Sequence, residues 1–382
     1  MKNVVLFLLL TLLLAACGGR VQEAADHKSA IKALQELAAE MEAELKELKK
    51  QEARHGFIDR TGKLVIPAQF EDAQSFSEGR AGVKLDGKWG YIDKTGVLVI
   101  PARFARIEDF SQGRAAVQLT INGLFGFIDR HGNQVIPPKF TSAGDFSQGL
   151  AVVEVPATHK KGFINPQGDW VLAPLFEYAG GFSEDLAPVQ IGEKWGYLDQ
   201  EGTVVIPPRF EEAHKFREGL AVVETAKGWA VINKQGKVVI KSRGPGFSRF
   251  SGFSQGRAVF LGPGRRNLAP QGFMNRTGKV IVPAKFANVD NFSEGLARVS
   301  TVSQGTGFID RHGKWAIPPQ FDLAESFSEG LAKIKDRNTP GRFGFIDKTG
   351  KIVIPCQFQT ASYFHEGLAP VLLFPPQKEG EK

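Results

Sequence analysis

Cysteine is almost missing: 382 residues carry two, Cys17 and Cys356. Two thiols exclude a disulfide framework and a cysteine-rich zinc site. The seven histidines are scattered, and His131 and His312 fall in expected turns, so no metal or cofactor is expected. No Ser/His/Asp arrangement, phosphate-cradling glycine loop or paired-carboxylate site stands out, and no catalytic residue is assigned. The longest apolar run, Val4 to Leu14, falls short of the roughly 20 residues a bilayer span needs. Tyrosine is scarce, 4 copies against 30 Phe, which suggests that one short pattern has been copied. What is present is enough for a core: 42% hydrophobic and 23% charged residues exclude a disordered chain. With 43 Gly and 21 Pro, many turns and short strands are expected.

The first residues read as an address. Lys2 precedes the apolar run, and Leu14-Ala15-Ala16-Cys17 resembles the bacterial lipobox. The resemblance implies a lipoprotein signal peptide at 1–16 and a lipidated tether at 17–20, with Cys17 carrying the lipid that holds the protein to the membrane. The other reading is an ordinary cut after Ala16 that leaves a free thiol. Gly18 follows where inner-membrane retention uses Asp, so the expected location is the bacterial cell envelope at the outer membrane. In 21–54, Ile31, Leu34, Ala38, Met41, Leu45 and Leu48 form a narrow seam, which predicts an amphipathic helix. It would act as a spacer, pack on the first repeat, or self-associate. Residues 375–382 are a polar tail.

Residues 55–374 repeat. Gly56-Phe-Ile-Asp recurs in nine versions, beginning at 56, 90, 126, 162, 196, 230, 272, 307 and 344. The intervals run from 34 to 42 residues and leave no room for a separate domain. Asp or Asn ends each version, and Gly follows three residues later. Asp-x-x-Gly between apolar runs predicts a hairpin whose Asp caps the turn and whose Gly takes a positive φ. Val-Ile-Pro then predicts a return strand ended by a residue without a donor. A loop pinned by two phenylalanines follows (Phe70 and Phe76 in the first copy), then a third strand with an invariant Ala, from Ala81 to Ala369. Each copy is thus expected to be a three-stranded antiparallel meander plus a compact loop. A lone copy buries too little to fold, so copies must stack.

Lys88-Trp89-Gly90-Tyr91-Ile92-Asp93 and Lys194-Trp195-Gly196-Tyr197-Leu198-Asp199 resemble the WG (KWG) repeat family of bacterial proteins. The Trp persists only at Trp89, Trp195 and Trp229; Phe125 and Phe343 substitute, and His55, Lys161, Gln271 and Thr306 depart. That favours packing over a ligand role for the Trp. The expected fold is all-β: nine meanders stacked as an open curved solenoid behind one N-terminal helix. Nine copies exceed the usual propeller blade count of about four to eight, and no strand exchange between the chain ends is visible. A closed propeller-like ring is the alternative.

Asp93-Lys-Thr-Gly96 and Asp347-Lys-Thr-Gly350 resemble a phosphorylated ATPase motif, but the same slot holds other turn sequences elsewhere. Calcium would need several oxygens per loop, and each turn offers one acid. Cys356 replaces Ala or Pro of other copies and reads as a small packed residue. Glu78, Glu218, Glu294 and Glu329 belong to a Phe-Ser-Glu-Gly corner in which Gln112 and Gln148 serve equally. One region breaks the pattern. Between Thr225 and Val289 lie twelve basic residues and no acidic one, so with a total of +7 the remainder of the chain is −5. Lys241, Arg243, Arg249, Arg257, Arg265 and Arg266 are the candidate anion-binding residues there. The expected function is a non-enzymatic, membrane-anchored binding scaffold for an envelope protein or anionic polymer, with no role in nucleic-acid binding. A cell-wall hydrolase and a structural spacer are the alternatives.

Overall fold

A computed structural model describes residues 53–241, 251–264 and 269–374. All of them belong to one compact unit, Ala53–Phe374. The lipobox Cys17 and the helix expected at 21–54 lie outside the described residues. Among the described residues there are 33 β-strands and no α-helix.

The Gly-aromatic-aliphatic-Asp segments form the glycine strands, such as His55–Asp59 and Lys88–Ile92. Each turns back through its Asp-x-x-Gly hairpin. In the first, Asp59 Oδ1 accepts from the amides of Thr61 (2.9 Å) and Lys63 (3.1 Å), while Gly62 adopts φ +87°. The return, or proline, strand comes back bulged: Phe57 faces Ile66 and His55 faces Phe70. Closeness at that bulge explains the Gly of the motif. A Cβ at Gly126 would sit 2.5 Å from the Ile136 carbonyl oxygen and 2.8 Å from Pro138 N. Position 230 carries Ala instead, and there the register is regular, with Ala230 directly opposite Lys241 next to Val231 opposite Ile240; the remaining shift lies between Val231 and Ile232.

The third strand, here called the alanine strand, corrects the expected phase. Arg80–Leu85 does not pair within its own copy. It pairs with the next copy's glycine strand, Ala81 facing Ile92 and Leu85 facing Lys88, across the two-residue turn Asp86-Gly87. Both turn residues have positive φ, 47° and 74°, the conformation whose twist suits a tight hairpin. A sequence copy is therefore split over two sheets. Six of the eight sheets are also wider than three strands: in most of them the loop between the phenylalanines contributes a short edge strand, as in Asp72–Ser77 or Arg106–Ile107.

The phase shift leaves the last alanine strand, Leu368–Leu372, without a following copy. It pairs with the first glycine strand along its whole length, from His55↔Leu372 to Asp59↔Leu368. The body is consequently a closed ring, and the expectation of an open solenoid is overturned. The strands fall into eight sheets. The seven-stranded sheet holds two successive glycine strands, because the long strand Trp315–Ala324 pairs on both sides.

The core lies between neighbouring sheets. Phe57, Ile66 and Phe70 of one pack with Phe76, Ala81, Val83 and Ile92 of the next. The glycine-strand aromatic meets the corner phenylalanine of its copy edge-on, as with Tyr91 and Phe110, ring centres 4.9 Å apart. The alanine of the third strand is fully enclosed in every copy, which is why it never grows. Trp229 is buried, and Trp89 and Trp195 pack half-buried against their clusters, in keeping with a packing role.

Candidate functional site

The Phe-Ser-Glu-Gly corners are hairpin turns, and they join the copies to one another. Ser111 and Arg114 bridge across Gln112-Gly113, both of which have positive φ. The corner Glu or Gln stands at φ between 51° and 55° in all nine copies, a left-handed strain of about 1 kcal/mol for a residue with a Cβ. That strain aims a side-chain oxygen at the next copy. Glu78 accepts from the amides of Gln112 (2.7 Å) and Gly113 (2.8 Å), and Gln112 accepts from Gly149 (2.8 Å). The bond repeats at Gln148, Glu184, Glu218, Gln255, Glu294 and Glu329. Glu366 completes the circle by accepting from Gly79 at 3.0 Å. Alongside it, the Ser77 hydroxyl donates to the Phe110 carbonyl at 2.7 Å, and most copies repeat this.

Cations from the Asp-x-x-Gly turns tie in a third copy. Arg130 pairs with Glu78 at 2.8 Å and Lys94 with Glu366 at 3.0 Å. Burial alone would raise the Glu78 pKa, but the Arg130 bond and the two amides outweigh it, and the carboxyl titrates below its usual range. These are structural carboxylates: each accepts from an amide of the next copy, and Glu78 and Glu366 also pair with a cation of the copy after it.

A second charged group sits just ahead of the corners. Asp109 and Asp145 are exposed, yet both titrate high, first because of burial by surrounding chain, with Asp145 also repelling Asp109. One position earlier, the acids are paired: Glu108 with Arg106 at 3.2 Å, Asp290 with Arg298, and Glu325 with Lys333 at 2.8 Å. No group of three or more metal-ligating side chains occurs among the described residues. A cavity of about 430 Å³ lies between Arg103, Val117, Leu119, Phe127 and Pro138. Cys356 is a free, half-buried thiol beside the cluster around Phe321 and Phe327.

Of the six candidate cations, Arg243, Arg249, Arg265 and Arg266 lie outside the described residues. Lys241 is exposed at the end of strand Val238–Lys241, and Arg257 opens the alanine strand of the next sheet. Arg257 is already engaged: its guanidinium donates to the carbonyls of Gly256 and Arg311. Arg80 and Arg114 make the same kind of bond in earlier copies, so this is a feature of the repeat. Arg276 likewise donates to the Glu218 carbonyl, and Lys234 faces Glu184 at 3.6 Å. Among the described residues, Lys227, Lys237, Lys241 and Lys279 have no acid partner within salt-bridge distance. The corner circle itself escaped sequence reading. Its signal was the restriction of that position to Glu and Gln, which share a side-chain acceptor and reach.

No curated protein matches the chain. Among solved structures, the computationally designed Ika8 protein is 11% identical, with a TM-score of 0.43, covering 70% of this chain and 95% of its own. BamB from Moraxella catarrhalis is also 11% identical, TM-score 0.39, over 64% and 88% of the two chains. Hsv2p of Kluyveromyces lactis gives 11% and 0.38, over 63% and 92%. The WG containing repeat matches at 56–89, 89–120, 125–155, 162–195, 195–229, 272–301, 307–339 and 343–373, passing over the divergent copy at 230–271. With eight matched segments spanning most of the ring, the chain belongs to the family of WG-repeat proteins.

Proposed function

We propose that this protein is a lipid-anchored envelope scaffold whose ring of nine blades presents a binding surface and performs no catalysis. Cys17 would carry the anchor, placing the ring at the outer membrane, and the partner would be an anionic polymer or an acidic envelope protein. The observation that carries the reading is the contrast between copies. All nine copies make the same neighbour-to-neighbour corner bonds, Gln255 of the copy at 230–271 included, but that copy departs from the family pattern and concentrates cations. Divergence on a rigid framework is where binding residues accumulate. Pull-down from envelope extract with wild type and with Arg265→Glu plus Arg266→Glu tests it. The expected result is a partner retained by wild type, released by salt and lost in the variant. Identical capture at every salt concentration would remove the basic surface as the binding site, and turnover of a cell-wall polymer by the purified protein would overturn the non-enzymatic reading.

A further inference from the structure

The proline strands are edge strands, each pairing on one side only in most sheets. Seven copies place Pro directly after the strand's buried aliphatic residue: Pro67, Pro101, Pro137, Pro207, Pro283, Pro318 and Pro355. The eighth, at Ala173, has Pro174 beside it. Proline is tolerated in an edge strand when its missing N–H faces away from the partner, and it blunts pairing with foreign strands there. The copy at 230 has neither proline. Lys241 occupies the slot and restores the amide on the open side, and among the described residues strand Val238–Lys241 pairs with Gly228–Asn233 alone.

This unguarded edge lies among cations. Lys237 and Lys241 bracket the strand, four residues or about 13 Å apart along an extended chain. The turn bearing Lys279 packs onto it, since a Cβ on Gly278 would lie 3.0 Å from Ile240 Cγ2. Val239 is 42% exposed between the two lysines, an apolar step on the same edge. Resting on the anionic-partner reading above, we propose that strand Val238–Lys241 is a β-augmentation site. Its occupant is an extended, acidic peptide segment of a partner protein, with carboxylates four residues apart. Main-chain bonds to the open edge supply affinity, and the lysines at either end select the charge.

The test uses the folded full-length protein and a labelled synthetic peptide, Glu-Val-Thr-Val-Glu-Val-Thr with blocked ends, followed by fluorescence anisotropy. Lys241→Pro, which installs the residue of seven other copies, should weaken binding at least tenfold. Lys241→Ala, which keeps the amide, should weaken it no more than about threefold, and amide exchange at 238–241 should slow in the wild-type complex. Replacing both Glu of the peptide by Lys should abolish binding. Equal binding by Lys241→Pro and wild type, or no slowing at 238–241, overturns the edge site. In that case loss on Lys237→Glu with Lys279→Glu would leave the basic-surface reading standing, and soluble polyphosphate bound through those lysines would identify a polymer surface. No binding of either probe overturns both.

Discussion

Gly126→Ala isolates the packing constraint behind the motif's glycine. An added Cβ would stand 2.5 Å from the Ile136 carbonyl oxygen, 2.8 Å from Pro138 N and 3.0 Å from the Pro137 carbonyl carbon. An ordinary contact needs about 1 Å more, and the atoms that must yield are backbone fixed by the bulged register. Overpacking of this kind costs on the order of 3 kcal/mol, and the lower entropy of the unfolded chain returns about 0.5–1 kcal/mol. The expected net loss is about 2 kcal/mol, seen as a lower urea midpoint at unchanged m-value and a melting temperature lower by roughly 4 °C. Two controls separate this from other glycine effects. Gly113→Ala has no atom within 4 Å but sits at φ +77°, so it should cost only the left-handed penalty of about 1 kcal/mol. Ala230→Gly, where the return strand has no such bulge, should cost at most about 1 kcal/mol through chain entropy. If Gly126→Ala proves as stable as the parent, or more stable, the close-approach argument is wrong.

Deleting residues 359–382 removes the alanine strand that pairs with His55–Asp59, together with the buried Phe364, Leu368 and Val371. Amide exchange at 55–59 should accelerate by orders of magnitude before that at 220–225; unchanged protection at 55–59 would argue against closure through this seam. Glu78→Ala strands two amides and Arg130 and should cost about 1–2 kcal/mol, while Glu78→Gln, copying Gln112, should stay nearly neutral in the urea midpoint. Because the folded-state pKa of Glu78 lies below the unfolded value, its contribution is complete above the unfolded pKa and is lost as pH falls through the folded one. The gap between Glu78 and Glu78→Ala should therefore narrow in acid, and a gap constant with pH would refute the assigned role.

Much of the local structure was legible because it is written in short-range chemistry. Asp59 with Gly62, the proline of Val-Ile-Pro, the corner phenylalanines and the enclosed Ala81 each act over a few residues or within one contact. The pairing partner of the alanine strand is a different kind of fact. From residue 80 the chain can fold back on its own copy or forward on the next, and both choices bury the same side chains. The deciding signal was Asp86-Gly87, a two-residue hairpin that ties the strand forward. Once that choice is made, pairing of the final strand with the first follows. The corner circle was hidden for another reason: a single Glu looks like a solvated turn residue until the amides of the corner turn some 35 positions later are seen to need an acceptor. The basic stretch was visible only as composition. Sequence could not separate Arg257 and Arg276, which hold neighbouring turns, from Lys237, Lys241 and Lys279.

At the seam, Leu373 N donates to the Arg54 carbonyl at 3.0 Å, so the strands nearest the two termini finish side by side. The ring thus has no built-in beginning. A gene joining 374 to 53 through a short linker and opened at the Asp86-Gly87 tip should encode the same body with relocated ends. The present start is then a point of attachment chosen for whatever precedes it, and the architecture would accept that attachment at any other hairpin tip.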